Sequence, residues 1–174
     1  AWSSAASDVY KRQSFNDYSV ETVGEMIKAV NVPEEWDEKP RILVLACEND
    51  AFPALDLLGQ HGLEGSPWIR VIPVRCLGST NFVWITQAMS AGFDGVILLG
   101  CKYGDDYQCH YVKGSELASV REKNVREKLE QMAMDTERVE LHQLQIDEYD
   151  RLPKIFQDFA DLIDDIGYNP FKGM

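Results

Sequence analysis

Three apolar runs in this chain each lead into a cysteine. Ile42-Leu43-Val44-Leu45-Ala46 runs into Cys47, Ile69-Arg70-Val71-Ile72-Pro73-Val74-Arg75 into Cys76, and Gly95-Val96-Ile97-Leu98-Leu99, through Gly100, into Cys101. A fourth cysteine, Cys109, closes the loop after the third run, in the stretch Gly100 to Tyr111 read as GCKYGDDYQCHY. Short apolar runs separated by helical patterns specify parallel strands joined by crossovers. In an open parallel sheet the carboxyl ends of the strands share the edge where ligands bind. The pattern therefore delivers Cys47, Cys76 and Cys101 to one edge, with Cys109 folding back over them.

The remaining elements follow the same alternation. Ser19 caps a short helix with Val20, Val23, Ile27 and Val30 on one face, and Asn31, Pro33 and Pro40 end it in a linker where Trp36 rests on the domain or on a neighbour. After the first strand, Asn49 or Asp50 caps a helix that has Pro53 in its first turn, turns Leu55 and Leu58 inward, and ends at Gly59 and Gly62. The turn Gly78-Ser79-Thr80-Asn81 opens a helix bearing Phe82, Ile85 and Met89, closed by Gly92. Ser115 caps a long helix to about Asp135, with Leu117, Val120, Val125, Leu129 and Met132 as its apolar face. Val139 to Leu144 alternates imperfectly, as an edge strand does. The spacing of Leu152, Ile155, Phe156, Phe159, Leu162, Ile163 and Ile166 predicts a final helix stopped by Gly167.

This βαβαβαβα order predicts an α/β fold: an open parallel four-stranded sheet with helices on both faces. Right-handed crossovers favour strand order 2-1-3-4, a shortened flavodoxin-like arrangement. Residues 1–13 have no amphipathic period, and SSAASDVYKRQ resembles adapter-derived sequence at the edge of assembled environmental DNA, so upstream domains are expected to be missing. Residues 14–39 form the amino-terminal helix and linker, 40–168 the α/β domain and 169–174 a tail.

Charge narrows the function. The 174 residues carry 29 acidic against 17 basic side chains, a net charge of −12. That excludes the basic footprint of a nucleic-acid binder, and no apolar run reaches the roughly 20 residues that span a bilayer. Without a secretion signal, the four cysteines read as thiols or as ligands for metal or cluster rather than as disulfides. An iron–sulfur cluster takes four thiolates, and so does zinc, although the short paired C-x-x-C spacings of structural zinc sites are absent. Against ligation stands the reading that the strand-end cysteines are small buried residues. His110 is a surface histidine, or else a ligand or a hydrogen-bond donor to a cluster sulfur, and Asp105 and Asp106 are turn formers rather than a cation site. The loop Gly100 to Gly104 lacks the G-x-G-x-x-G spacing of a dinucleotide site, and no serine has the company of a nucleophilic triad.

From Pro40 to Ile166 the chain resembles the delta subunit of methyl-viologen-reducing hydrogenase. The resemblance rests on Cys47, on Cys76-Leu77-Gly78, and on Gly100-Cys101 through Cys109-His110-Tyr111. The family's second cysteine after strand one is replaced by Asp50, the arginine after its Cys-x-Gly turn is Ser79, and the loop Lys102 to Gln108 is longer. These departures look like the carboxyl-terminal domain of the heterodisulfide-reductase-A-like component of the quinone-interacting membrane-bound oxidoreductase complex. The resemblance implies a [2Fe–2S] cluster on Cys47, Cys76, Cys101 and Cys109. It implies electron transfer between the quinone pool and adenylylsulfate reductase, with no catalysis in this fragment. It further implies partner subunits of a membrane-associated redox complex, a cytoplasmic place peripheral to the membrane, and FAD and [4Fe–4S] groups only upstream. The alternatives are a cluster-free docking module of the same complex and, more remotely, a flavodoxin-like mononucleotide binder.

Overall fold

The computed structural model describes residues 17–34, 36–37, 40–63, 67–104, 109–167 and 169–172. The expectations for residues 1–13 and for Asp105 and Asp106 lie outside the described residues. The elements are α1 (Val20–Ala29), β1 (Ile42–Cys47), α2 (Ala51–Gln60), β2 (Ile69–Val74), α3 (Phe82–Ala91), β3 (Gly95–Cys101), α4 (Gly114–Gln131), β4 (Val139–Leu144) and α5 (Leu152–Ile166). The four strands form one parallel sheet in the order β2-β1-β3-β4, as the crossover rule requires. β1 and β3 are central and buried along their whole length, which is why they read as unbroken apolar runs. β2 and β4 are edge strands with mixed burial.

Helices cover both faces. An added Cβ at Gly95 would meet Phe159 and Ile163 of α5, while one at Gly100, five residues on and therefore on the opposite face, would meet Leu77. α5 buries Leu152, Ile155, Phe156, Phe159, Ala160 and Ile163 along one stripe. On the other layer α3 touches both α1 and α4. Ser19 caps α1 through the Thr22 amide, and Asn81 caps α3 through the Trp84 amide. No helix among the described residues is long and apolar enough to cross a membrane.

Three local expectations are corrected. α4 begins at Gly114, with Lys113 before it and Ser115 buried inside its first turn, so Ser115 is not its cap, and the helix ends at Gln131. Its buried face is Gly114, Ser115, Ala118, Val125 and Leu129, while Leu117, Val120 and Met132 are exposed. The cause is close approach: the backbone at Gly114 presses on Gly78, where an added Cβ would lie 3.1 Å from the Gly114 carbonyl, so small residues face inward. Trp36 is 81% exposed, which leaves a neighbour as its expected resting place.

The amino ends of the strands carry a buried polar knot. Arg41, just before β1, grips Asp94, just before β3, with Nε to Oδ2 and Nη2 to Oδ1, both 2.9 Å, and its backbone amide adds a third bond at 3.0 Å. Arg138 donates from Nη1 to the carbonyls of Asp94 and Gly167, each at 3.0 Å. Asn169, in the stretch read as a tail, is buried; its amide donates to Asp94 Oδ1 at 2.8 Å and its side chain to the carbonyls of Met89 and Phe93.

Candidate functional site

The strand register brings the cysteines to the carboxyl end of the sheet. Ala46 pairs with Leu99, so Cys47, the last residue of β1, and Cys101, the last of β3, finish side by side. Their sulfurs are 3.4 Å apart. β3 runs two residues further than the apolar pattern suggests, which makes Cys101 a strand residue rather than a loop residue. Cys76 follows β2 and opens the 3₁₀ turn Leu77–Ser79, with its Sγ accepting the Gly78 amide at 3.3 Å. Cys109 returns from the loop to bury beside it. An ideal Cβ on Gly114 would stand 2.5 Å from Cys76 Sγ and 2.7 Å from Cys109 Sγ, so both sulfurs crowd the first residue of α4 and only glycine fits there. The return is held by a tight turn, with the Val112 amide on the Cys109 carbonyl at 3.0 Å. Val112 adopts φ +59°, a left-handed conformation costly for a β-branched residue, which the surrounding structure must enforce.

The four sulfurs are thus all buried and gathered two by two, Cys47 with Cys101 and Cys76 with Cys109. Among the described residues no three His, Cys, Asp or Glu side chains are gathered closely enough to hold a single metal ion. Their acidities diverge. The Cys101 thiol donates to Cys47 and, with the backbone amides of Asn49 and Leu77, holds Cys47 down at about 7 against its burial. Cys101 is correspondingly pushed up, first by that same bond and then by burial. Burial pushes Cys76 up to about 12, opposed by the Gly78 amide. Asn49 also donates from Nδ2 to Cys101 Sγ at 3.6 Å.

Asp50 stands at the edge of this group. It precedes α2 but makes no side-chain cap bond. It is buried, bonds with Cys101, and leaves Oδ2 without a hydrogen-bond partner. Burial raises its carboxyl above the ordinary value, partly offset by the bonds to Cys101 and Asn49. His110 is exposed, its ring edge-on to Tyr111 at 5.2 Å. Outside the sulfurs, Tyr18 and Arg75 both bond Glu48, and the Arg75 guanidinium lies 5.4 Å over the Tyr18 ring.

The residues present fit a thiolate-bound cluster. Backbone amides from Asn49, Leu77 and Gly78 reach two of the sulfurs, and such donors stabilise sulfur that carries negative charge. Sequence reasoning missed Gly114, whose missing Cβ makes room for Cys76 and Cys109, and Asn49, which it took as a helix cap. A glycine directly after the loop that carries Cys109 was the available signal.

The sequence has relatives among known proteins. Residues 42–167 match the family model described as methyl-viologen-reducing hydrogenase, delta subunit. The chain is 32% identical over 139 residues to the iron-sulfur subunit of the F420-non-reducing hydrogenase of Archaeoglobus profundus, covering 80% of this chain and 96% of that protein. It is 23% identical over 133 residues to the vhu iron-sulfur subunit of the F420-non-reducing hydrogenase of Methanocaldococcus jannaschii, covering 76% and 97% of the two chains. It is 26% identical over 128 residues to one subunit of the ferredoxin/F(420)H(2)-dependent CoB-CoM heterodisulfide reductase of Methanosarcina acetivorans, covering 74% of this chain but 16% of that larger protein.

Proposed function

The chain belongs to the methyl-viologen-reducing hydrogenase delta-subunit family, and on that premise we propose that it is an electron-transfer module whose Cys47, Cys76, Cys101 and Cys109 hold one [2Fe–2S] cluster. The observation that carries this reading is the pairing of the sulfurs, 3.4 Å between Cys47 and Cys101 and a second pair packed on Gly114. A [2Fe–2S] cluster takes four thiolates, two on each iron, and supplies one-electron uptake and release when bound. The chain's own part is to deliver two thiol pairs, to bury them from water, and to aim the amides of Asn49, Leu77 and Gly78 at sulfur. Gly114 keeps the space beside Cys76 and Cys109 open.

The relatives are subunits of hydrogenase and heterodisulfide reductase, so the partners are other subunits of a heterodisulfide-reductase-like redox complex. At finer grain the reading is transfer between the quinone pool and adenylylsulfate reductase, at the cytoplasmic face and peripheral to the membrane through those subunits. FAD and [4Fe–4S] groups then belong to other parts of the assembly. Iron and acid-labile sulfide analysis after anaerobic reconstitution tests the cluster. Wild type should hold about two irons per chain, and each of Cys47→Ser, Cys76→Ser, Cys101→Ser and Cys109→Ser should lower that content. A second reading, a docking module without a cluster, is favoured by Asp50 standing where the family has a further cysteine. It replaces the first if folded wild type takes up no stoichiometric iron.

A further inference from the structure

Asp50 holds the capping position of α2 without a side-chain cap bond, and Asn49 precedes it. Both side chains turn to the sulfurs instead. The Asn49 backbone amide donates to Cys47, and its Nδ2 donates to Cys101 Sγ at 3.6 Å, within reach for an acceptor as large as sulfur. An asparagine Nδ2 carries two hydrogens, and the Asn49 side chain also bonds the Asp50 carboxyl. The amide is thereby fixed between the carboxyl and the thiol, a donor already oriented toward sulfur.

Two kinds of donor therefore reach the sulfurs. The amides of Asn49 and Leu77 on Cys47, and that of Gly78 on Cys76, are backbone groups that the turns after β1 and β2 supply whatever side chains stand there. Asn49 Nδ2 on Cys101 is a side-chain donor, so it depends on residue type. Sulfur bound to iron carries negative charge, and an electron added to a cluster increases it. A donor aimed at that sulfur stabilises the reduced form more than the oxidised one, and does so more strongly where water is excluded. Cys47 and Cys101 are buried, and Asn49 is half-buried beside them.

We propose, on the premise that the four thiols hold a [2Fe–2S] cluster, that the Asn49 side chain raises the reduction potential of that cluster through its bond to Cys101. Asn49 binds no iron and acts through a ligand, so it is a positioning residue. Its side chain bears on how readily the cluster takes an electron, and the four thiols bear on whether iron is held. The two roles come apart on substitution: loss of the Asn49 donor should move the potential and leave the iron in place.

Redox titration of the anaerobically reconstituted 174-residue chain, followed by electron paramagnetic resonance with iron content measured on each sample, tests it. Asn49→Leu removes the donor, keeps the backbone amide and covers the place with an apolar group. It should hold as much iron as wild type, with the midpoint lower by about 59 mV, the one-electron equivalent of about a tenfold loss in the reduction equilibrium. Asn49→Ala should fall less, because water can take the vacated place and donate in turn. Gln60→Ala, at the far end of α2, should match wild type. Where Asn49→Leu loses iron, Asn49→Ala decides by the same criterion. An unchanged or higher midpoint in Asn49→Leu at wild-type iron content, or an equal fall in Gln60→Ala, overturns this role and leaves the cluster assignment standing. Loss of iron from both Asn49 variants, with circular dichroism showing them folded, makes Asn49 a residue of iron retention and overturns it too. Folded wild type without stoichiometric iron overturns the cluster assignment itself, and this role with it.

Discussion

Asp94 and Asp50 are both buried carboxylates, and they sit at opposite ends of the same four strands. Burial alone would raise either pKa. At Asp94 that effect is outweighed by the bidentate Arg41, the Arg41 amide and the Asn169 amide, so its carboxyl is held below the ordinary value. At Asp50 burial wins, because the bonds to Cys101 and Asn49 offset it only in part and one oxygen has no partner. The amino end of the sheet is therefore a closed structure in which Arg41, Asp94, Arg138 and Asn169 answer one another. The carboxyl end is built with open valences, four thiols and a half-satisfied acid. The contrast separates what stabilises the fold from what the fold presents.

The largest effect should come from opening the closed end. Asp94→Ala removes the carboxylate that Arg41 grips with two bonds in the buried knot and should cost about 3–5 kcal/mol in urea denaturation. A midpoint near wild type would show that the knot contributes little. The same carboxylate sets a pH dependence. Its folded pKa lies below the unfolded value of about 3.9, so its contribution is complete above that value and is lost as pH falls through the folded value. The stability gap between wild type and Asp94→Asn should accordingly narrow below about pH 4 and stay constant near neutrality. A gap that widened on acidification would reverse the assignment.

Changes at the open end should cost less stability. Gly114→Ala gains up to about 1 kcal/mol of helix propensity, but its methyl would meet two sulfurs under 3 Å and force them to shift, which costs about 1–3 kcal/mol. Its denaturation midpoint should fall by less than that of Asp94→Ala, while iron retained after reconstitution should fall to a minor fraction of wild type. Full iron retention would mean that Cys76 and Cys109 need not sit where Gly114 allows them. The smallest effect is expected at Asp50. Asp50→Asn removes a carboxylate that burial disfavours and should raise stability of the cluster-free chain at neutral pH by about 1 kcal/mol. A loss as large as that of Asp94→Ala would make the two ends alike.

The sheet order and the placement of Cys47, Cys76 and Cys101 were legible in the sequence, because alternating apolar runs and right-handed crossovers leave few topologies. The closed end was not. Arg41, Asp94 and Arg138 are scattered single charges just before strand starts, and their convergence appears only when β1, β3 and β4 are set side by side. Asn169 was hidden for the same reason, its partners lying on α3 and at the start of β3, far away in sequence. On α4 the misreading was of face. Leu117, Val120 and Met132 carry the hydrophobic signal but are exposed, while the buried Gly114, Ser115 and Ala118 carry almost none. Small residues chosen for close approach are invisible to a pattern that counts apolar side chains.

The pairing of the sulfurs also lay beyond the sequence. Four cysteines allow three pairings. The register of β1 on β3 sets Cys47 against Cys101, and the Gly78–Gly114 contact brings Cys109 to Cys76. That pairing is the basis for the proposed cluster, and electron paramagnetic resonance of the anaerobically reconstituted, dithionite-reduced chain tests it most directly. One cluster spin per chain in wild type, lost or altered in Cys101→Ser and in Cys109→Ser, one member of each pair, is the predicted result. A folded wild-type chain with no cluster signal, or a signal that survives unchanged in both variants, would contradict it.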